Sequence, residues 1–265
     1  MGKGEPVLPA FRTHQLMTEE QRYMFDLQGY LVLKNVVPSE TITAVNTVLD
    51  RFESLPVENL PPGVTHGKSR TNEELYLANM VEGDPVFHQF IDHPAVIQII
   101  SEITLGLYRL NHAYAIYRWG GGYTYMHMQN TPLHPKATYH CLNGEMFSLT
   151  SKAVFPMMNH NAEDGCFAVI PGSHKANFVR PFGNHPDENP GLTPLDAQPG
   201  DCIIFTEALT HGSMVNTSGK TRRTLYFCYS VGYMPDWSKF GLQFTKEFLE
   251  TLSPAQREIV RRKDN

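Results

Sequence analysis

After Leu107 the chain breaks into short β-rich runs: Ala113–Trp119, Tyr123–Gln129, Met146–Met157, Cys166–Ile170, Cys202–Phe205 and Thr224–Tyr233. Gly, Pro and Asn separate them. Several short strands bounded by turn residues, with no helical period between them, require an antiparallel sandwich or barrel rather than alternating βαβ units. Asn143-Gly144 adds a tight-turn pair between two of these runs.

The first hundred residues read differently. Thr18-Glu19-Glu20-Gln21 is a capping box that predicts a helix to about Gln28, closed by Gly29. Tyr30–Val36 alternates like a strand. Ser39 is the expected cap of a second helix, whose Ile42, Val45, Leu49 and Phe52 share one face. Pro61-Pro62-Gly63 opens a polar loop running past Arg70, and a short apolar helix is expected from Pro94 to about Ile103. A basic helix beginning at Ser253-Pro254 is expected near the end. Neither a repeat nor a linker divides the chain, so residues 1–265 are expected to form a single domain, mainly β with flanking helices. With 41% hydrophobic residues it can bury a sizeable core.

Composition narrows the partners. The net charge of −5 comes with scattered Lys and Arg, which gives no basic patch for nucleic acid and no polybasic segment for an anionic membrane. No apolar run is long enough to span a bilayer. The first residues carry no apolar signal core, and Met1-Gly2 lacks the Ser or Thr that a myristoylation signal needs at the sixth position, which is Pro6. Cys141, Cys166, Cys202 and Cys228 are widely spaced in apolar runs, and are expected to be buried free thiols in a reducing cytoplasm. A small-molecule substrate remains the expected partner, with the oligomeric state left open.

Two of the twelve histidines stand in informative places. His127 lies on a β-rich run two residues before Gln129, and residues i and i+2 of a strand share a face. His211 follows 84 residues later, at the end of another apolar strand. A pair on one strand and a distant histidine on a facing strand is the layout of the facial metal triad, two histidines and a carboxylate, that leaves iron positions open. His14, His66, His88, His93, His112, His160 and His185 have no partner at such spacing and are read as surface or hydrogen-bonded structural residues.

Three segments, in order, resemble the phytanoyl-CoA dioxygenase family of Fe(II)/2-oxoglutarate oxygenases. Thr18–Val36 looks like the family's opening helix and strand. Glu163-Asp164-Gly165 followed by Pro171-Gly172-Ser173-His174-Lys175 looks like its central segment. Pro199-Gly200-Asp201 with Thr210-His211-Gly212-Ser213, Asn216 and Arg222 looks like its distal-histidine segment. The resemblance implies a double-stranded β-helix (the jelly-roll, cupin-like fold) with the site at its mouth. It implies Fe(II), 2-oxoglutarate and O2 as cofactor and cosubstrates, and hydroxylation of an unactivated C–H bond. His127 and His211 would bind the metal. Arg222, eleven residues after His211, would pair with the distal carboxylate of 2-oxoglutarate, with Ser213 nearby. A guanidinium fork suits that role because it grips a carboxylate bidentately and keeps its charge. His174 is read as a structural or pocket-rim residue.

The sequence departs from the family at one ligand. The family pattern is His-x-Asp or His-x-Glu, and here it is His127-Met128-Gln129. A neutral amide oxygen brings neither the charge nor the basicity of a carboxylate. Three outcomes stay open: Gln129 binds iron through its amide oxygen, it hydrogen-bonds beside a two-histidine iron, or the site is weakened or lost. Glu145, Glu163 and Asp164 are nearby carboxylates without the i+2 relation, and His134 is a further candidate on the following loop. The functional alternatives are a non-catalytic metal- or 2-oxoglutarate-binding protein and a halogenase- or desaturase-type outcome. In halogenating members of the superfamily a small residue stands at the position of Gln129.

Overall fold

The computed structural model describes residues 16–66, 71–129, 137–235 and 244–260. His134 lies outside them. The chain opens with helix α1 (Glu19–Gln28), and Thr18 caps it as the sequence predicts: its hydroxyl accepts from Gln21 N, and the Gln21 side chain accepts from Thr18 N. Gly29 ends the helix at φ 85°, and a Cβ there would meet His174 Nδ1 at 2.6 Å. Only glycine satisfies both the left-handed turn and that close approach. Helix α2 (Ser39–Ser54) buries Ile42, Val45, Leu49 and Phe52 as expected. Its cap differs: Pro38 is the N-cap residue, with no side-chain cap bond, and Ser39 is the first helical residue. Pro38 sets an extended entry that starts the helix without a hydroxyl. Helix α3 (Pro94–Ile103) falls where expected.

A seven-stranded sheet forms the body. In sequence order its strands are β1 (Tyr30–Leu33), β2 (Thr65–His66), β3 (Glu74–Ala78), β4 (Tyr108–Arg118), β7 (Thr150–Pro156), β10 (Cys202–Thr206) and β12 (Arg222–Val231). In space they run β1-β10-β7-β12-β4-β3-β2, with every pairing antiparallel. β2 and β3 were not foreseen, because the Pro-rich start of their segment reads as loop. A smaller sheet stacks β11 (His211–Ser213), β8 (Phe167–Val169) and β9 (Thr193–Pro194) in the order β11-β8-β9. The hairpin β5 (Tyr139–Leu142) and β6 (Glu145–Ser148) turns on Asn143 and Gly144, both at positive φ, as a primed two-residue turn requires. The predicted Met146–Met157 strand is therefore two strands. Near the end, α4 (Lys246–Thr251) precedes α5 (Pro254–Val260).

Two sheets face to face, with helices on the outer side of the larger one, make a jelly roll, the double-stranded β-helix. Alternation along β12 divides its side chains between two cores. Leu225, Phe227 and Tyr229 join the large core beneath the helices, while Tyr226 joins the core between the sheets. Phe167 of the small sheet packs on Phe205 of the large one with ring centroids 4.8 Å apart, and this contact closes the sandwich. Three of the four cysteines are buried and all four are free, but Cys141 is exposed. The expectation for Cys141 fails because the β5–β6 hairpin lies apart from both larger sheets, so its outer face meets solvent. Among the described residues no helix is long and apolar enough to cross a membrane.

Candidate active site

His127 and His211 are brought together by the backbone. Each donates its N–H to the other's carbonyl oxygen at 3.0 Å, an isolated antiparallel bridge. Residues directly opposite in such a pair project to the same face, and the two imidazole centroids lie 4.2 Å apart. The His127 segment is braced on both sides. Thr124 N donates to Ser213 Oγ at 2.8 Å, and Thr210 Oγ1 donates to Met128 O at 2.9 Å. Gly212 permits the crossing, because a Cβ there would stand 2.7 Å from both Thr124 O and Met126 Sδ. Gly212→Ala is therefore expected to force the two histidine segments apart and to weaken divalent-metal binding by about tenfold or more. Calorimetric titration with Co(II) checks this, and unaltered affinity would refute it.

Both imidazoles are set in one tautomer. His127 Nδ1 lies 2.8 Å from Tyr125 O and His211 Nδ1 lies 2.7 Å from Leu209 O. A carbonyl only accepts, so each Nδ1 carries the proton and each Nε2 keeps the lone pair a metal needs. Burial, with His127 beside it, pushes the His211 pKa down to about 3, so this ring is neutral. His211 is buried and His127 half-buried.

The two histidines share an inner cavity of about 140 Å³ between the sheets. Tyr76, Tyr114 and Tyr226 stack along its wall with successive centroids 4.7 Å apart. Lys152 and Arg118 bring two positive charges to the cavity wall, and each is paired with a carboxylate. Lys152 Nζ lies 2.8 Å from Glu207 Oε1 and 5.7 Å from the Tyr114 ring centroid. Arg118 is ion-paired with Glu74 and donates to Thr124 Oγ1 at 2.9 Å. Arg222 stands directly across from Arg118 on the paired strands β12 and β4. It is 1% exposed and its Nη1 donates to Gly165 O, while its Nε and Nη2 meet no hydrogen-bond acceptor among the described residues. Two buried cationic N–H groups without an acceptor are costly, and a carboxylate would satisfy them both.

Glu207 is also deeply buried. Burial alone would raise its pKa, but Lys152, with His211 adding, brings it down to about 2. Its Oε1 lies 3.7 Å from His211 Nε2.

Gln129 takes a different place from the one its spacing suggests. Met128 adopts φ 65°, which breaks strand alternation, so the i, i+2 rule no longer carries residue 129 into the inner cavity. The Gln129 side-chain oxygen instead accepts from Arg180 N at 3.0 Å, and the residue lines an outer groove of about 380 Å³ with His127, Met128, Val179 and Phe182. Ser213 is near the pair, but its hydroxyl accepts from Thr124 N and donates to Met214 O, so it serves the backbone crossing. Glu145 and Glu163 are exposed, and Asp164 is buried at its bridge to Asn216. His174 is buried away from the pair, with Nε2 3.1 Å from Asp26 O, and it supports the turn at Gly29. Lys152, Glu207 and the tyrosine stack did not stand out in the sequence. The signal available was a charged residue inside an apolar run, in Thr150–Pro156 and again in Cys202–Leu209.

The family model for phytanoyl-CoA dioxygenase matches residues 25–224. The chain belongs to the phytanoyl-CoA dioxygenase family. With membership come Fe(II), 2-oxoglutarate and O2 as the family's cofactor and cosubstrates, and dioxygenase chemistry. The dioxygenase af480 of Aspergillus fumigatus is 33% identical over a match spanning 37% of this chain and 31% of that protein. A probable phytanoyl-CoA dioxygenase of Caenorhabditis elegans is 22% identical, over 87% of this chain and 80% of its own length. In fold the chain is similar to HygX from Streptomyces hygroscopicus, solved with nickel, 2-oxoglutarate and hygromycin B bound. That likeness has a TM-score of 0.71 at 22% identity and covers 83% of this chain and 90% of HygX.

The side chains present fit the family's cofactors. Two imidazoles offer Nε2 on one face, and a buried guanidinium offers two N–H groups to a carboxylate. Among the described residues, however, no three His, Cys, Asp or Glu side chains already stand in ligating positions.

Proposed function

We propose that this protein is an oxygenase that hydroxylates an unactivated C–H bond of a small organic molecule, with His127 and His211 holding Fe(II) and Arg222 holding 2-oxoglutarate. The observation that carries the reading is the pair of opposed histidines with both Nδ1 atoms donated to carbonyls. Iron with 2-oxoglutarate and dioxygen supplies an oxidant able to break such a bond while 2-oxoglutarate becomes succinate and carbon dioxide. The protein's part is placement. The backbone bridge fixes both rings, Tyr125 O and Leu209 O keep each Nε2 deprotonated, and Arg222 anchors the distal carboxylate of the cosubstrate. The outer groove beside His127, bordered by Met128, Val179 and Phe182, suits the apolar body of a substrate.

Anaerobic addition of Fe(II) and 2-oxoglutarate is expected to produce a weak visible charge-transfer band that is lost in His211→Ala. Admitting air should then release succinate. A protein that gives no band and no succinate, with or without candidate substrates, is not an oxygenase. A non-catalytic binder is favoured by Gln129 standing where the family has a carboxylate, and it would show the band without succinate.

A further inference from the structure

We propose that Glu207 supplies the carboxylate of the metal site, in place of the family's His-x-Asp position, with Lys152 holding that carboxylate in register. The inference rests on the metal-binding role of His127 and His211 given above.

Glu207 is brought to the site by the chain's own turn. Strand β10 ends at Thr206, the chain reverses through Glu207–Thr210, and β11 begins at His211. Glu207 N donates to Thr150 O at 2.9 Å and Leu209 N to Thr206 O at 2.9 Å, which fixes the reversal. The Glu207 side chain is 2% exposed, and its Oε1 lies 3.7 Å from His211 Nε2, the nitrogen left unprotonated. Donors about 2.1 Å from a common ion, at roughly right angles, are about 3 Å apart. The carboxylate therefore stands about 0.7 Å too far from His211 for that spacing. A side-chain adjustment covers that distance.

The alternative ligand is drawn the other way. Gln129 accepts from Arg180 N and lines the outer groove, and the positive φ of Met128 holds it there. Charge points to the same choice. Two neutral imidazoles leave Fe(II) with its full charge in a buried cavity, and an anionic ligand offsets that cost. A carboxylate has two oxygens and about four lone-pair positions, so it can serve Lys152 and a metal together. Lys152 Nζ lies 2.8 Å from Glu207 Oε1 and is positioned to hold that carboxylate in register.

The test is Co(II) binding to the full chain, followed by calorimetry and by the visible bands of bound Co(II). Glu207→Gln alone would strand the Lys152 charge, so the informative variant is Glu207→Gln combined with Lys152→Met, which removes the buried pair together. This double variant is expected to lose about tenfold or more in Co(II) affinity and to change the visible bands. Gln129→Ala is expected to bind as the wild type does. Lys152→Met alone keeps the carboxylate, so Co(II) should still bind and should raise its Tm more than that of the wild type. A Glu207 that only held an ion pair would give no such gain. Wild-type affinity in the double variant, or loss in Gln129→Ala, overturns the proposal. If His211→Ala abolishes binding while the double variant does not, the proposed function stands and Glu207 is not a ligand. A wild type that binds no Co(II) overturns both.

Discussion

Lys152→Met is expected to be among the most destabilising single substitutions in the metal-free protein, at about 3–5 kcal/mol. The Lys152 and Glu207 side chains are only 10% and 2% exposed. Removing the lysine leaves the carboxylate buried without its main counter-charge, and the folded state must then either carry that charge or protonate it. Lys152 is itself held charged well above the usual lysine range: burial would lower its pKa, and Glu207 more than compensates. Removing both charges together restores a neutral cavity wall, so Lys152→Met with Glu207→Gln should recover much of the loss. Urea denaturation of the two variants checks the order. A double variant no more stable than Lys152→Met would show that the pair is not the source of the cost.

Arg222→Ala is expected to act in opposite directions with and without cosubstrate. In the empty protein Arg222 is a buried cation with two N–H groups lacking acceptors, so replacing it removes a standing cost, and the Tm should hold or rise despite the lost bond to Gly165 O. With 2-oxoglutarate the same change should remove the proposed charge-assisted, two-pronged contact and cost about 2–5 kcal/mol of binding. That is a loss of roughly one and a half to three and a half orders of magnitude in affinity. Arg222→Lys should not rescue it, because a point charge on a flexible stem cannot replace the planar fork. The reading is the rise in Tm on adding 2-oxoglutarate, together with its KM in turnover. A 2-oxoglutarate response in Arg222→Ala equal to that of the wild type would place the anchor elsewhere, with Arg118 the next candidate.

Much of the architecture was legible because it rests on local rules. The Thr18 capping box, the stop at Gly29, the buried stripe of α2 and the Asn143-Gly144 hairpin each depend on a few neighbouring residues, and each stands where the sequence places it. Local rules missed where long-range packing intervened. Cys141 lies in an apolar run yet faces solvent, because its hairpin is set apart from the main sheets. Strands β2 and β3 formed in a segment that reads as loop, because the edge of β4 offered β3 a partner and β3 in turn offered one to β2.

The site divides along the same line. The sequence by itself determined the family, the fold class and which two histidines and which arginine to examine, because order and spacing along a jelly roll put those residues at fixed places on its strands. It could not decide the remaining carboxylate. Strand alternation predicted Gln129 beside His127 in the inner cavity, and one residue at positive φ, Met128, turned it toward Arg180. Glu207 lies four residues before His211, but a turn and not a strand joins them, so strand alternation does not relate them, and only the reversal between β10 and β11 sets the carboxylate against the imidazole. Lys152 sits on β7, far from both in sequence, and register alone carries it to Glu207. Periodicity fixes which side of an element a residue faces. Which residues then meet across the cavity is set by backbone kinks and sheet packing, and these belong to the tertiary structure.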